Sequence, residues 1–244
     1  MRVLGFLLVL AAALAATPSG AAAAGAGAPA GSVVAPTRPE FEGDIRVFEQ
    51  GDRELGSRPP RVVFIGSSSI RIWDDLAKDF PGHKVVNRGF GGSQIVDAVY
   101  FGDRILKAHK PRLIVFFAGT NDINAGKSAA VVAADFKAFA NKVWASWPKA
   151  VIAFISISPS PSRVTQIATV REANRAIAAY CQTDARLKFV DVFPAMVRSD
   201  GTPRPDIFRD DALHMNRKGY ELWIPPLREV LNTFDPPSAA PKSH

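Results

Sequence analysis

Arg61-Val62-Val63-Phe64-Ile65-Gly66-Ser67-Ser68-Ser69-Ile70-Arg71-Ile72 decides the fold. Val62 to Ile65 is short, β-branched or aromatic, and free of polar side chains, which is the composition of a strand buried on both faces of a parallel sheet. Gly66 ends the run and three serines follow. In open α/β sheets ligands bind beyond the carboxyl ends of the strands, so a serine at this point can face a substrate and also cap the next helix. Taken alone, the stretch reads equally well as a nucleophile or as a plain run of capping serines.

Working outward, Phe41, Ile45 and Phe48 recur at helical spacing, which predicts a short amphipathic helix over 40–50. Beyond the serines, Ile70 to Phe80 is expected to be helical and stopped by Pro81-Gly82. A second short strand is expected over Lys84–Asn87, then a glycine cluster, then a helix from Ile95 to about Lys110, ahead of Pro111. Leu113–Phe117 is the most apolar run and reads as a central strand ending in Ala-Gly-Thr-Asn-Asp. Ser128 is placed as the cap of a helix that buries Val132, Phe136, Phe139 and Val143 and closes at Trp147-Pro148. Strands over Val151–Ile157 and Phe189–Val192 flank a helix over Val164–Thr183. Strands alternating with helices at this spacing predict a doubly wound parallel sheet, and right-handed crossovers put every strand end on one rim. Residues 194–212 read as a long loop, and Asn216 opens a last helix that Pro225-Pro226 should kink or break.

The ends of the chain have a different character. Arg2, the apolar segment Val3–Ala16 and an exit rich in small residues have the order of a secretory signal peptide over 1–24. Pro18 interrupts too soon for a membrane-spanning helix, which needs about 20 apolar residues. Residues 25–40 and 235–244 read as disordered leader and tail, leaving one domain over 41–234. The mature chain is therefore expected to be exported, periplasmic or extracellular, with no integral membrane segment. The 244-residue chain carries +7, and loss of the signal peptide removes only one charge, that of Arg2. These charges are scattered rather than drawn into the basic stripe that nucleic-acid binding requires, so they read as solubility and a mild preference for anionic surfaces. The single cysteine, Cys181, reads as a small apolar residue on a helix face.

A serine nucleophile needs a base. Of four histidines, His83, His109 and His244 stand in a turn, at a helix end and in the tail, and read as solvated surface residues. His214 differs because Asp211 precedes it by three residues, within reach to fix its tautomer and stabilise the imidazolium. A loop aspartate capping the helix beside a satisfied histidine is the plain alternative. Oxyanion donors are available at two strand ends: the backbone N–H of Gly92 and the side-chain amide of Asn121. Each alone is also an ordinary turn residue, but four such features on one rim point to one site.

Gly-Ser-Ser-Ser at 66–69, Asn-Arg-Gly-Phe-Gly-Gly at 87–92, Gly-Thr-Asn-Asp at 119–122 and Asp-Ala-Leu-His at 211–214 together resemble the four blocks of the SGNH, or GDSL-type, hydrolases. The resemblance spans nearly the whole mature domain. It implies a flavodoxin-like three-layer α/β/α sandwich with a five-stranded parallel sheet in the order 2-1-3-4-5. It also implies that Ser68 is the nucleophile and a backbone oxyanion donor, that Gly92 and Asn121 complete the hole, and that Asp211 and His214 finish the triad. Ser67 stands where the family carries aspartate, which removes a carboxylate beside the nucleophile but no triad member. Trp73 is assigned either to the wall of an acyl or alcohol pocket or to the core.

The expected activity is an exported esterase cleaving carboxylic or thioesters through an acyl-enzyme, with a small-molecule or polysaccharide-borne ester as substrate. Neither a metal nor another cofactor is expected. An acyltransferase or a polysaccharide O-acetyl esterase would use the same machinery, whereas a non-catalytic carbohydrate-binding module would leave it unused. A nucleotide-binding role lacks G-x-G-x-x-G or a Walker motif after the first strand. An α/β-hydrolase is disfavoured because Ser68 lacks the following glycine of G-x-S-x-G.

Overall fold

The computed structural model describes residues 38–236 except Arg58. The expected signal peptide, residues 25–37 of the leader and the tail beyond 236 lie outside the described residues. The leader's last residues already belong to the fold: Pro39–Phe41 form a 3₁₀ turn and Arg38 pairs with Asp97 at 3.1 Å.

Five strands, β1 (Val62–Gly66), β2 (Val85–Gly89), β3 (Leu113–Phe117), β4 (Val151–Ile155) and β5 (Leu187–Val190), form one sheet in the order β2-β1-β3-β4-β5. Every pairing is parallel. The helices are α1 (Glu42–Arg53), α2 (Ser68–Arg71), α3 (Leu76–Asp79), α4 (Ile95–Leu106), α5 (Thr120–Asn124), α6 (Ala129–Ser146), α7 (Ile167–Cys181) and α8 (Arg217–Phe234). Alternate residues of the central strands feed two cores. Val63, Ile65, Ile114, Phe116, Ile152 and Phe154 pack with α1, α4, α6 and α7, while Val62, Phe64, Leu113, Val115, Phe117 and Ile155 pack with α2, α3 and α8. Both faces are covered, so these strands carry no polar alternation. Each such side chain contributes about 1.5–3 kcal/mol on full burial.

Several expectations are corrected by packing. The helix expected over Ile70–Phe80 is two short pieces, α2 and α3. The Ile70 carbonyl accepts from the Asn87 side chain at 2.6 Å and from the Trp73 N–H at 3.1 Å, an i+3 bond that tightens the turn there. Strand β5 begins and ends two residues earlier than the sequence suggests. The Ser156 hydroxyl accepts the N–H groups of Val192 and Phe193 at 2.9 and 3.0 Å, turning the chain out of the sheet just past Val190. Helix α8 runs through Pro225 and Pro226 without a break. The carbonyls those prolines leave without a donor belong to Glu221, which is exposed, and Leu222, which is half-buried.

His83 and His109 are not surface residues. His83 is buried against α8, with Nδ1 at 2.9 Å from the Asp235 carbonyl and Nε2 at 3.1 Å from Asn232 Oδ1. His109 is fully buried, with Nδ1 at 3.1 Å from the Pro60 carbonyl and Nε2 at 3.1 Å from Asp52 Oδ1, and burial lowers its pKa. Trp73 belongs to the core. It is 2% exposed, its indole N–H donates to Asp79 at 2.7 Å, and its ring packs among Phe64, Phe80, Tyr220 and Trp223. Cys181 is buried as expected, and burial pushes its thiol up to about 12.

Candidate active site

The serine run follows β1 because Gly66 lies directly under the end of β3: a Cβ there would run into the Phe117 carbonyl oxygen. That carbonyl instead accepts the N–H of Ser67 at 3.0 Å, so the turn is tied to the neighbouring strand. Ser67 is 1% exposed. Its carbonyl accepts the N–H groups of Ile70 and Arg71, which starts α2 with Ser68 as its first residue. The Ser68 side chain emerges half-buried at the carboxyl rim of the sheet.

The partner of Ser68 comes from 146 positions away. His214 Nε2 lies 2.9 Å from Ser68 Oγ, and His214 Nδ1 lies 2.6 Å from Asp211 Oδ2. The other carboxylate oxygen of Asp211 accepts the backbone N–H groups of Leu213 and His214, each at 2.9 Å. The His214 N–H, then its imidazole, then the Leu213 N–H hold the Asp211 carboxyl at about 2, against slight desolvation. An ionised carboxylate only accepts, so Nδ1 carries the proton and Nε2 is free to accept from the serine hydroxyl.

The loop that carries this pair is fixed at both ends. Phe208 and Met215 form an antiparallel bridge, the Arg209 N–H donates to the His214 carbonyl at 2.8 Å, and Asn216 caps α8 while its amide donates to the Asp206 and Phe208 carbonyls at 2.9 Å. Ala212, between the two triad candidates, sits at φ +54°. A left-handed alanine is strained, and bonds on both sides of its peptides, to the Arg209 carbonyl and from the Ser162 N–H, hold it there.

The two expected oxyanion donors are linked through Ser93, the residue after Gly92. Gly92 is exposed with φ +82°, a backbone state that favours glycine. Its loop is anchored by the Phe90 N–H, which donates to the Gly66 carbonyl at 2.9 Å. Asn121 lies in α5 just after the left-handed Gly119, and its Nδ2 donates to the Ser93 carbonyl at 3.0 Å. One residue on, the buried Asp122 carboxylate accepts the Ile95 N–H at 3.2 Å and the Lys127 ammonium at 2.8 Å, which pins the start of α4 to α5. Burial raises the Asp122 pKa, against those contacts. Sequence reasoning missed Asp122, although it is the last residue of the Gly-Thr-Asn-Asp motif. It also missed Arg163, whose Nη1 donates to Asn121 Oδ1 at 3.1 Å.

Ser68, Asp211 and His214 are therefore in contact in one relay, and Asn121 is bonded to the residue after Gly92. Trp73 alone of the expected site residues lies elsewhere. A hydroxyl on a neutral imidazole that is itself held by a carboxylate is suited to nucleophilic attack with proton transfer.

Comparison with known proteins adds the family. A model of the GDSL-like Lipase/Acylhydrolase family matches residues 66–222. Platelet-activating factor acetylhydrolase IB subunit alpha1 of Homo sapiens is 29% identical over 172 residues, 67% of this chain and 71% of that protein. The fold is shared with a GDSL-like lipase from Bacteroides thetaiotaomicron (TM-score 0.67, 20% identity, 78% of this chain and 97% of that one). It is also shared with a family 3 carbohydrate esterase of Clostridium thermocellum (TM-score 0.58, 13% identity, 70% and 94%).

Proposed function

The chain belongs to the GDSL-like lipase/acylhydrolase family, and from that premise we propose that it is an exported serine esterase acting on short-chain, above all acetyl, carboxylic esters through an acyl-enzyme on Ser68. The observation that carries this reading is the continuous relay from Ser68 Oγ through both nitrogens of His214 to Asp211, at 2.9 and 2.6 Å.

The steps follow from the geometry. Ser68 Oγ attacks the ester carbonyl carbon while His214 Nε2 takes its proton, and Asp211 stabilises the resulting imidazolium. The carbonyl oxygen becomes an oxyanion that receives the N–H groups of Ser68 and Gly92 and the amide of Asn121. As the first residue of α2, Ser68 has an N–H without an intrahelical acceptor. The tetrahedral intermediate collapses by breaking the bond to the alkoxy oxygen, which leaves with the proton from His214. Water, activated by the same imidazole, then adds to the acyl-enzyme, and the carboxylic acid leaves as Ser68 recovers its proton.

Support for a short acyl group is of two kinds. Ser68, Asn121 and His214 are half-buried and Gly92 is exposed, an open site rather than a tunnel. The similar protein from Homo sapiens is by name an acetylhydrolase. Export rests on the order of charge, apolar run and small residues over 1–24.

One preparation tests both parts. Protein recovered outside the cytoplasm is expected to have an intact mass lacking about the first 24 residues, and kcat/KM on nitrophenyl esters is expected to fall from acetate and butyrate towards palmitate. An intact Met1 on that material removes the export proposal. A higher kcat/KM on palmitate than on acetate removes the acyl preference. Acetylated polysaccharide and an added sugar acceptor in the same assays separate a polysaccharide deacetylase and an acyltransferase from a general esterase.

A further inference from the structure

Arg163 lies outside the motifs, in the Pro159-Ser160-Pro161-Ser162-Arg163 segment between β4 and α7. Its Nη1 donates to Asn121 Oδ1 at 3.1 Å, while Asn121 Nδ2 donates to the Ser93 carbonyl at 3.0 Å. A guanidinium can only donate and a carbonyl can only accept, so the two partners together fix the amide one way round. A flipped amide would set N–H against N–H on one side and oxygen against oxygen on the other. The orientation enforced commits one Nδ2 hydrogen to Ser93 and leaves the second for the substrate oxygen.

The same segment braces the other half of the site, because the Ser162 N–H donates to the carbonyl of Ala212, between Asp211 and His214. Arg163 is half-buried. Burial is the influence on its ionisation, acting downward with no carboxylate to offset it among the described residues.

We propose that Arg163 is a positioning residue for the oxyanion hole: it locks the Asn121 amide with Nδ2 towards the substrate oxygen and, by drawing on Oδ1, strengthens that N–H as a donor. Polarisation along a chain of hydrogen bonds in a partly desolvated site is the physical basis of the second effect. The inference rests on the reading of Asn121 as an oxyanion donor.

A double-mutant cycle on the full chain tests it. Asn121→Ala should lower kcat on nitrophenyl acetate by about 10²-fold with KM little changed, the size of one oxyanion donor. Arg163→Met keeps the apolar stem and removes the donor, and should lower kcat by about tenfold at constant KM, part of the same donor's worth. Arg163→Lys, which restores a cationic donor, should recover most of that loss. In the Asn121→Ala background Arg163→Met should cost less than about twofold, because nothing is left to position. If Arg163→Met does not fold, Arg163→Gln, too short to reach Oδ1, runs the same cycle.

An equal fold-loss in both backgrounds overturns the proposal, since Arg163 would then act without Asn121. A rise in KM with kcat held also overturns it, making Arg163 a binding group, and so does full activity of Arg163→Met beside an impaired Asn121→Ala. These results leave the oxyanion reading standing. No loss in Asn121→Ala itself removes that reading and this proposal with it.

Discussion

Ser68→Ala is expected to abolish covalent labelling by a fluorophosphonate and to lower kcat by about 10⁵–10⁶-fold, as much as His214→Ala and no less than the two together. The size follows from the relay. Ser68 Oγ supplies the new bond and His214 Nε2, 2.9 Å away, takes its proton, so removing either ends the same step and the losses do not add. What remains comes from the oxyanion donors and substrate binding.

The neighbouring hydroxyls provide the control. Ser67 is 1% exposed and its backbone is tied to Phe117, Ile70 and Arg71. The carbonyl of Ser69 accepts the Tyr220 hydroxyl at 2.9 Å, which ties its backbone to α8. Ser67→Ala and Ser69→Ala should keep labelling and lose about tenfold or less, because the bonds at both residues are made by backbone atoms that alanine keeps, and Ser67 makes no side-chain cap bond to α2. Peptide mapping decides: a phosphonyl adduct on Ser67 or Ser69 moves the nucleophile, and esterase activity with no serine adduct ends the mechanism.

The second large effect is expected at Asp211, where Asp211→Asn should lower kcat by about 10³–10⁴-fold, while Asp210→Asn costs little. The asymmetry of the carboxylate's contacts gives the reason. One oxygen accepts the N–H groups of Leu213 and His214, and the other faces the imidazole. An asparagine would keep its carbonyl on the two backbone donors and turn its NH₂ towards His214 Nδ1. The imidazole would then accept at Nδ1 and carry its proton on Nε2, the tautomer that cannot take a proton from Ser68. Asp210 is exposed, and a larger loss at 210 than at 211 would reverse the assignment. Because the Asp211 carboxyl is held at about 2, it stays ionised as pH falls towards 3. Ionisation of Asp211 should therefore not set the acid limb of the wild-type pH–kcat profile above pH 3, and a carboxylate titration above pH 3 that is present in the wild type and lost in Asp211→Asn would contradict the pairing.

Much of this was legible in the chain because it is local. Leu113–Phe117 begins and ends in the structure where its apolar run does, since a strand covered on both faces needs no polar residue until it leaves the sheet. The caps at Ser128 and Asn216 were legible because a short polar side chain ahead of an apolar period has one favoured use. Asp211 and His214 were legible as a pair because three residues of backbone bring them together.

Other features depend on what the rest of the chain brings alongside, and local pattern does not specify that. Trp73, beside the nucleophile in sequence, is drawn into the core by Asp79 and by four aromatic rings from β1, the end of α3, and α8. His83 and His109 lie in polar surroundings in sequence, yet each is buried, with carbonyl groups of distant segments at both ring nitrogens of His83 and at Nδ1 of His109. Arg163 sits in a segment that reads as plain loop, and only the approach of α5 gives its guanidinium an amide to hold. By itself the sequence determined the strands, the order of the motifs and the chemistry each could supply, because these follow from side-chain type and short-range spacing. Which of three serines meets the histidine, which tryptophan is core and which arginine braces the site were decided by tertiary structure, because contacts between residues as far apart as Ser68 and His214 exist only once both cores have closed on the sheet.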